Sequence, residues 1–185
     1  VPALPPSFVR LMDGDTLAIG GLAWRCIAGW GHSPEHMALY CEQLNILISG
    51  DMVLPRISTN VSVYEMEPEA DSLTLFLRSI DRFLPLPEDT LVLPSHGKPF
   101  HGLHTRIQQL HDHHRERLDE VMAAARVKPI CSYDVLPLLF KRPLDLHQTT
   151  FALGEAVAHL HRLWHGGSLR RTRDGAGIWR FTPVG

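Results

Sequence analysis

Three polar residues, His32, Asp51 and His96, follow predicted strands in the order His, Asp, His. A short apolar stretch typical of a strand precedes each of them: residues 22–28, 44–48 and 90–93 respectively. We therefore expect the three side chains to leave loops at one edge of a sheet. Neutral imidazole nitrogen and carboxylate oxygen bind Zn²⁺ at roughly 2.0–2.2 Å, and a carboxylate can bridge two ions. The order and placement predict half of a dinuclear metal site.

The sequence around these residues carries a family resemblance. Its segments read GHSPEHMALY, ISGDMVLPRIS, LPSHGKPFHGL and RIQQLHDHHRERL. Over residues 13–100 the chain resembles the metallo-β-lactamase superfamily of hydrolases, and within it the lactamase-β-like branch that carries a C-terminal winged helix. The resemblance implies that His32 is a ligand of the first metal ion, Asp51 the bridging carboxylate and His96 a ligand of the second. It also implies two zinc ions and hydrolysis by a metal-bound hydroxide.

Each motif taken alone has a simpler interpretation. Ser-Gly-Asp and Pro-x-His-Gly are common turn sequences, and a histidine after glycine-rich coil is often a solvated loop residue. His36 could orient a ligand imidazole or contact the substrate, because ligand imidazoles usually need an orienting partner, or it could be a surface residue. Arg56 and Ser58 could contact an anionic substrate or serve only the structure of their loop.

The family's HxHxDH motif, which supplies the other ligands and the water-orienting Asp, is absent from this sequence. The nearest string runs from His111 to His114 and continues with Arg115 and Glu116 where Asp-His is needed. It lies in a predicted helix, so we interpret it as a polar helix face. We therefore expect a truncated hydrolase that holds metal weakly, is inactive alone, and has the missing N-terminal half or a second copy as its partner.

The pattern of elements predicts an α+β chain in two parts. Residues 1–102 alternate short strands with turns and contain one helix across 70–83, as expected for the C-terminal half of the family's αββα sandwich. Residues 103–185 have a mostly helical pattern followed by a hairpin, which is the order of a winged helix. The predicted segments of this second part are helices at 105–127, 132–140 and 148–165 and a hairpin across 168–181.

Composition places few limits on function. The chain has 185 residues, 44% apolar content and a formal net charge of −2, so nothing global indicates a polyanion or a membrane partner. No signal peptide or apolar run near the ~18 residues of a spanning helix is present. Three widely spaced cysteines predict reduced thiols. These features favour a cytoplasmic protein, while zinc as its cofactor is what the family resemblance implies.

Several substrates remain open from the sequence. The same ligands can hydrolyse a thioester, a lactone or other ester, or a phosphodiester, and we favour small esters or thioesters because no marked basic surface is present. The alternative is a nucleic-acid-binding or RNA-processing module that uses the predicted wing. The predicted wing contains four arginines, Arg170, Arg171, Arg173 and Arg180. They could contact phosphates, although an exposed arginine face is usually only solvated.

Overall fold

The computed structural model describes residues 5–185, which form a five-stranded sheet, four helices and a C-terminal hairpin. The strands of the sheet are β1 (Thr16–Ile19), β2 (Leu22–Gly29), β3 (His36–Cys41), β4 (Ile46–Gly50) and β5 (Leu91–Pro94). The helices are α1 (Ser72–Asp81), α2 (Leu103–Val127), α3 (Ser132–Leu139) and α4 (Leu146–His165). The hairpin strands are β6 (Leu169–Arg173) and β7 (Trp179–Pro183). The result is the predicted α+β arrangement.

The sheet has the order β1-β2-β3-β4-β5. Its first four strands pair antiparallel, and β4 pairs with β5 in parallel through a crossover that contains α1. Strands β2, β4 and β5 therefore run in the same direction. Because their carboxyl ends meet at one edge of the sheet, the loops that follow them come together there.

Helix α1 covers one face of the sheet. Asp71 accepts a hydrogen bond from the Thr74 amide at 3.3 Å, which stabilises the first turn of the helix that the sequence predicts across 70–83. On its apolar side Leu73, Phe76 and Ile80 are fully buried in the core that the sheet contributes to. The periodic apolar residues thus hold α1 against the strands whose ends carry the site.

Helix α2 belongs to two cores. Ile107 and Leu110 in its first half pack into the core of the sheet, whereas Val121 and Ala125 in its second half pack into a separate C-terminal core. The predicted boundary between residues 102 and 103 coincides with the start of this helix. That boundary stays a prediction, because one continuous helix serves both cores.

The C-terminal core lies among α2, α3, α4 and the hairpin. Asp145 and Gln148 form a capping box at the start of α4. Ile130 forms an antiparallel bridge with Phe181, which attaches β7 to the segment between α2 and α3. The order of three helices followed by a hairpin agrees with the sequence prediction. No helix within residues 5–185 is both long and apolar enough to cross a membrane.

The other face of the sheet is partly open. Leu39, Ile48 and Leu93 lie side by side on neighbouring strands, in register with one another. They lie outside the helix-covered core, and Ile48 is 37% exposed. The helices of the C-terminal part pack elsewhere, so they leave this apolar row accessible.

The interpretation of residues 111–114 as a polar helix face was partly wrong. His111 does bond the Asp81 carboxylate at the surface, with 2.6 Å between Nε2 and Oδ1. His114, by contrast, is fully buried, with its ring edge-on to Phe76 and its Nδ1 3.3 Å from His159 Nε2. The sequence pattern missed this because the residue that receives the His114 ring is supplied by α4, 45 positions away.

Candidate metal centre

The structure brings His32, Asp51 and His96 together at the carboxyl edge of the sheet. His32 Nε2 lies 3.7 Å from Asp51 Oδ2, and His96 Nε2 lies 3.4 Å from Asp51 Oδ1. Each oxygen of the carboxylate therefore faces a different imidazole. The side chains of His32 and Asp51 are 28% and 29% exposed, and that of His96 is 67% exposed, so the cluster is open to solvent on the His96 side.

The loop after β2 fixes the His32 ring. Gly31 has φ +100°, and a Cβ at this position would overlap the Ser72 carbonyl oxygen at the start of α1, so only glycine fits. His32 Nδ1 lies 2.8 Å from the main-chain oxygen of Asn60. Because a carbonyl only accepts, Nδ1 carries the proton and donates, and the lone pair on Nε2 points toward Asp51. This is the tautomer that a metal ligand needs.

The loop after β4 is held by several main-chain contacts. Ser49 Oγ donates to the main-chain oxygen of Val53 at 2.9 Å, and the Thr59 hydroxyl donates to the main-chain oxygen of Asp51. Arg106 of α2 donates to the main-chain oxygen of Leu54 at 2.7 Å and to the main-chain oxygen of Ile57 at 2.9 Å. These contacts give Asp51 a defined position although it lies in a loop.

His36 contacts the Asp51 backbone, and its predicted role beside the site, as an orienting or substrate-contacting residue or as a surface residue, stays a prediction. Its Nε2 accepts a 3.4 Å hydrogen bond from the Asp51 amide, while its Nδ1 is buried without a hydrogen-bond partner among the described residues. Burial, and then the proximity of His32, lowers the pKa of His36, against an opposing effect of Asp51. Gly50 has φ +55°, and a Cβ there would overlap the His36 ring. His36 thus packs under the Asp51 backbone.

The residue that orients His32 is Asn60, which the sequence did not identify. Its contribution is a main-chain oxygen, and every residue type has one, so no composition or motif signal could have revealed it. Gly50 was visible only as part of a turn sequence. Its close approach to His36 depends on the pairing of β3 with β4.

A groove lies beside His96. It has a volume of about 610 Å³ and is formed by the loops after β4 and β5. Pro55, Ile57 and Phe100 give it an apolar lining, and Arg56 and Lys98 stand at its sides. Among the described residues neither of these two cations forms an ion pair with an acidic side chain.

The donor set fits part of a zinc site. Two ligand atoms about 2.1 Å from a tetrahedral ion lie roughly 3.4 Å apart, close to both observed nitrogen–oxygen distances. Within residues 5–185, however, no group of three or more His, Cys, Asp or Glu side chains, these three included, is arranged to hold a metal ion. A complete coordination shell therefore needs further ligands. That His32, Asp51 and His96 are ligands stays a prediction.

The arginines of the hairpin are largely engaged within the protein. Arg171 lies between the rings of Trp164 and Trp179 at 3.8 and 4.1 Å from their centroids and pairs with Glu69 at 2.6 Å. Arg180 pairs with Asp174 at 2.8 Å. These contacts attach the hairpin to the rest of the chain, and they leave fewer free guanidinium groups for phosphates than the sequence suggested.

Comparison with known families supports the metal interpretation. The model of the Metallo-beta-lactamase superfamily matches residues 2–129, and that of the Metallo-beta-lactamase-like, C-terminal domain matches residues 118–184. The chain belongs to the metallo-β-lactamase superfamily. The superfamily match is wider than the stretch of 13–100 expected from the motifs, and it does not confine the resemblance to a C-terminal part of the family domain.

Two individual proteins are also similar to this chain in sequence. It is 27% identical to the "Probable metallo-hydrolase YqjP" of Bacillus subtilis over 149 residues, which are 78% of this chain and 46% of that protein. It is 24% identical to an atrochrysone carboxyl ACP thioesterase of Aspergillus fumigatus over 119 residues, which are 64% of this chain and 35% of that protein.

A solved structure matches nearly the whole chain. It is a beta-lactamase domain protein from Burkholderia ambifaria, 54% identical, with a TM-score of 0.96 over 98% of this chain and 54% of that protein. The C-terminal helices and hairpin are therefore shared with this protein as well as the sheet. The chain spans about half the length of the proteins it matches, as the coverage of 46% for YqjP and 54% here shows.

Proposed function

We propose that this chain contributes His32, Asp51 and His96 to the dinuclear zinc centre of a hydrolase that acts on esters or thioesters. The observation that carries the proposal is the division of the Asp51 carboxylate, whose two oxygens face two different imidazole Nε2 atoms at 3.7 and 3.4 Å. A carboxylate that bridges two ions needs this division. Family membership supports a metal centre at this position.

The protein's own residues prepare the site. The Asn60 oxygen holds the proton of His32 on Nδ1, so that Nε2 is free to bind a metal. The contacts of the loop after β4 keep Asp51 between the two histidines. When bound, zinc ions lower the pKa of a coordinated water and polarise the substrate carbonyl.

We propose that the acyl part of the substrate binds in the groove beside His96. The lining by Pro55, Ile57 and Phe100 suits an apolar chain, and Arg56 and Lys98 suit a substrate that also carries a carboxylate or phosphate. The thioesterase among the relatives supports a thioester in particular. The C-terminal helices and hairpin, which we assign as winged-helix-like, would then be a packing module beside this entrance.

The open face of the sheet is the proposed surface for the rest of the hydrolase. Leu39, Ile48 and Leu93 form a contiguous apolar row, and proteins rarely leave such rows uncovered. We propose that the N-terminal part of a complete family domain packs here and supplies the missing ligands. In its absence a second copy of the chain would cover the same face, so self-association is expected in light scattering.

The test is reconstitution in trans. The chain would be mixed with the part of the Burkholderia ambifaria protein that it does not cover, with zinc present, and assayed on p-nitrophenyl acetate, a neutral acyl thioester, a thioester with a free carboxylate, and bis(p-nitrophenyl) phosphate. We expect no turnover by the chain alone, turnover after mixing, and a preference for the carboxylate-bearing thioester.

Three results would contradict this proposal. Tight stoichiometric zinc binding with steady turnover by the chain alone would show that no further ligands are needed. Phosphodiester cleavage without acyl cleavage would remove the assigned substrate class. Failure of every mixture to bind zinc at His32, Asp51 and His96 would remove the metal site itself.

A further inference from the structure

The short segment that begins at Asn60 connects the metal centre with α4. While the main-chain oxygen of Asn60 holds His32, its side chain points the other way and is fixed at both ends. The Asn60 Nδ2 donates to Glu155 Oε2 at 3.2 Å, and its Oδ1 accepts from Ser62 Oγ at 2.8 Å. One residue thus joins a predicted metal ligand to an acidic side chain of the C-terminal part, 95 positions away.

The same segment is seated closely on α4. The Val63 amide donates to the Gly154 oxygen at 3.1 Å. Ser62 is 2% exposed, and a Cβ at Gly154 would come within 2.8 Å of the Ser62 side chain, so only glycine allows this approach. The position of Asn60 is therefore set by the helix beneath it as well as by its own loop.

Glu155 is an unusual residue for this place. Burial raises the pKa of its carboxyl to about 7, and the hydrogen bond from Asn60 opposes that rise. A partly buried carboxyl costs stability that a methionine or leucine on the same helix face would not cost. Local choices that oppose stability tend to occur where function requires them. Glu155 accepts the hydrogen bond that fixes the Asn60 side chain, and Asn60 in turn holds the His32 ring.

We propose that Glu155 is a positioning residue for the metal ligand His32 and acts through Asn60. The inference rests on the proposed function, because it takes His32 to be a ligand. It gives the C-terminal part a role in the metal centre that does not require contact with substrate or metal. The line of contacts runs from Glu155 Oε2 to the Asn60 amide, along that residue to its main-chain oxygen, and to His32 Nδ1.

The consequences differ between substitutions. In Glu155→Ala the Asn60 amide loses its acceptor, so the loop is free to shift and the carbonyl no longer holds His32 in one orientation. In Glu155→Gln the new amide oxygen still accepts from Asn60, so the orientation is kept. Loss of a group that orients a ligand typically weakens metal binding about 10–100-fold. We expect a loss of that size in Glu155→Ala and wild-type affinity in Glu155→Gln.

The experiment uses two measurements on each variant. The ¹⁵N resonances of the His32 ring in the metal-free chain report its tautomer and its hydrogen bond, and calorimetric zinc titration of the reconstituted protein reports affinity. Leu160→Ala is the matched control, because this buried residue of α4 belongs to the C-terminal core and does not touch Asn60. Asn60→Ala is a second route to the same effect, since it keeps the main-chain oxygen but removes the amide.

The proposal expects altered His32 resonances and weaker zinc binding in Glu155→Ala and Asn60→Ala, with no further loss when the two are combined. It expects wild-type behaviour in Glu155→Gln and in Leu160→Ala. Equal effects of Glu155→Ala and Leu160→Ala would show that α4 contributes only stability, and unchanged His32 resonances in Glu155→Ala would overturn the positioning role. If the wild-type chain binds no zinc even when reconstituted, the proposed function fails, while the His32 resonances still decide whether Glu155 positions that ring.

Discussion

Histidines at the sheet edge and histidines in the core make similar hydrogen bonds to main-chain oxygens, but their surroundings differ. At the sheet edge, His32 donates from Nδ1 to the main-chain oxygen of Asn60, and its Nε2 lone pair points toward a solvent-accessible carboxylate. In the core, His159 donates from Nδ1 to the main-chain oxygen of Glu155, and its Nε2 faces a second buried imidazole, that of His114. The carbonyl sets the same tautomer in both places.

What differs is the group that faces the free nitrogen. Because His159 Nε2 carries a lone pair, His114 must donate from Nδ1, which leaves its own Nε2 as a buried acceptor with no partner within residues 5–185. Burial lowers the pKa of both rings, so the pair is neutral and has a structural role. At the edge the lone pair faces Asp51, and a cation between them would be favourable. Exposure and the opposing charge distinguish the predicted ligand His32 from the core histidines.

The first way to sharpen this comparison is Asp51→Asn, for which we expect the largest effect. The change removes the charge shared by His32 and His96 but keeps nearly the same shape. Because loss of an orienting group already costs about 10–100-fold in zinc affinity or activity, loss of a bridging carboxylate should cost well over a hundredfold. Calorimetric zinc titration and the acyl hydrolysis of the reconstituted protein measure it.

The matched control is Asp81→Asn. Asp81 also faces a histidine, with 2.6 Å between its Oδ1 and His111 Nε2, but it is the last residue of α1 and pairs with no second imidazole among the described residues. Zinc affinity should not change in this variant. An equal loss in both variants would mean that Asp51 acts through general stability rather than as a ligand.

The second test concerns the core pair at acid pH. The folded-state pKa of His114 and of His159 lies below the ordinary value, so unfolding takes up protons and the free energy of unfolding falls as the pH drops below about 6.5. We expect the pair to account for roughly 4 kcal/mol of that loss between pH 7 and pH 5, about 2 kcal/mol from each ring. Urea unfolding at several pH values measures it.

The double variant His114→Leu with His159→Leu should remove this part of the pH dependence while leaving zinc affinity unchanged. Replacing both residues avoids leaving one ring without its partner. The same acid-dependent loss in the double variant would assign it to other groups. A loss of zinc binding in the double variant would contradict the assignment of a purely structural role to the core pair.

The smallest expected effect comes from Gly50→Ala. The backbone at this position has φ +55°, and the added Cβ would overlap the His36 ring, so we expect about 1–2 kcal/mol of lost stability and a modest drop in zinc affinity as Asp51 shifts. Thermal unfolding measures the first effect. The control Gly175→Ala, at a hairpin turn with open space around it, should change neither quantity.

Local patterns in the sequence were enough to predict the elements and the edge at which the site lies. Apolar periodicity and the Asp71 cap indicate α1, and alternating apolar stretches before His32, Asp51 and His96 indicate the strands. Because parallel and antiparallel pairing of short strands leaves few arrangements, three polar residues after strands could be expected at one edge. The motif resemblance then predicted the family that the comparisons show.

Only the tertiary structure decided which groups hold those side chains in place. Three contacts join segments far apart in the sequence: the Asn60 carbonyl with His32, the Asp51 amide with the His36 ring, and the Glu155 carboxylate with Asn60. The same holds for His114, whose burial depends on a helix that arrives much later in the chain. Sequence patterns report the periodicity of one segment, whereas hydrogen-bond partners and burial depend on which segments pack together. A main-chain oxygen leaves no trace in residue type, so the orientation of His32 could be read only from the fold.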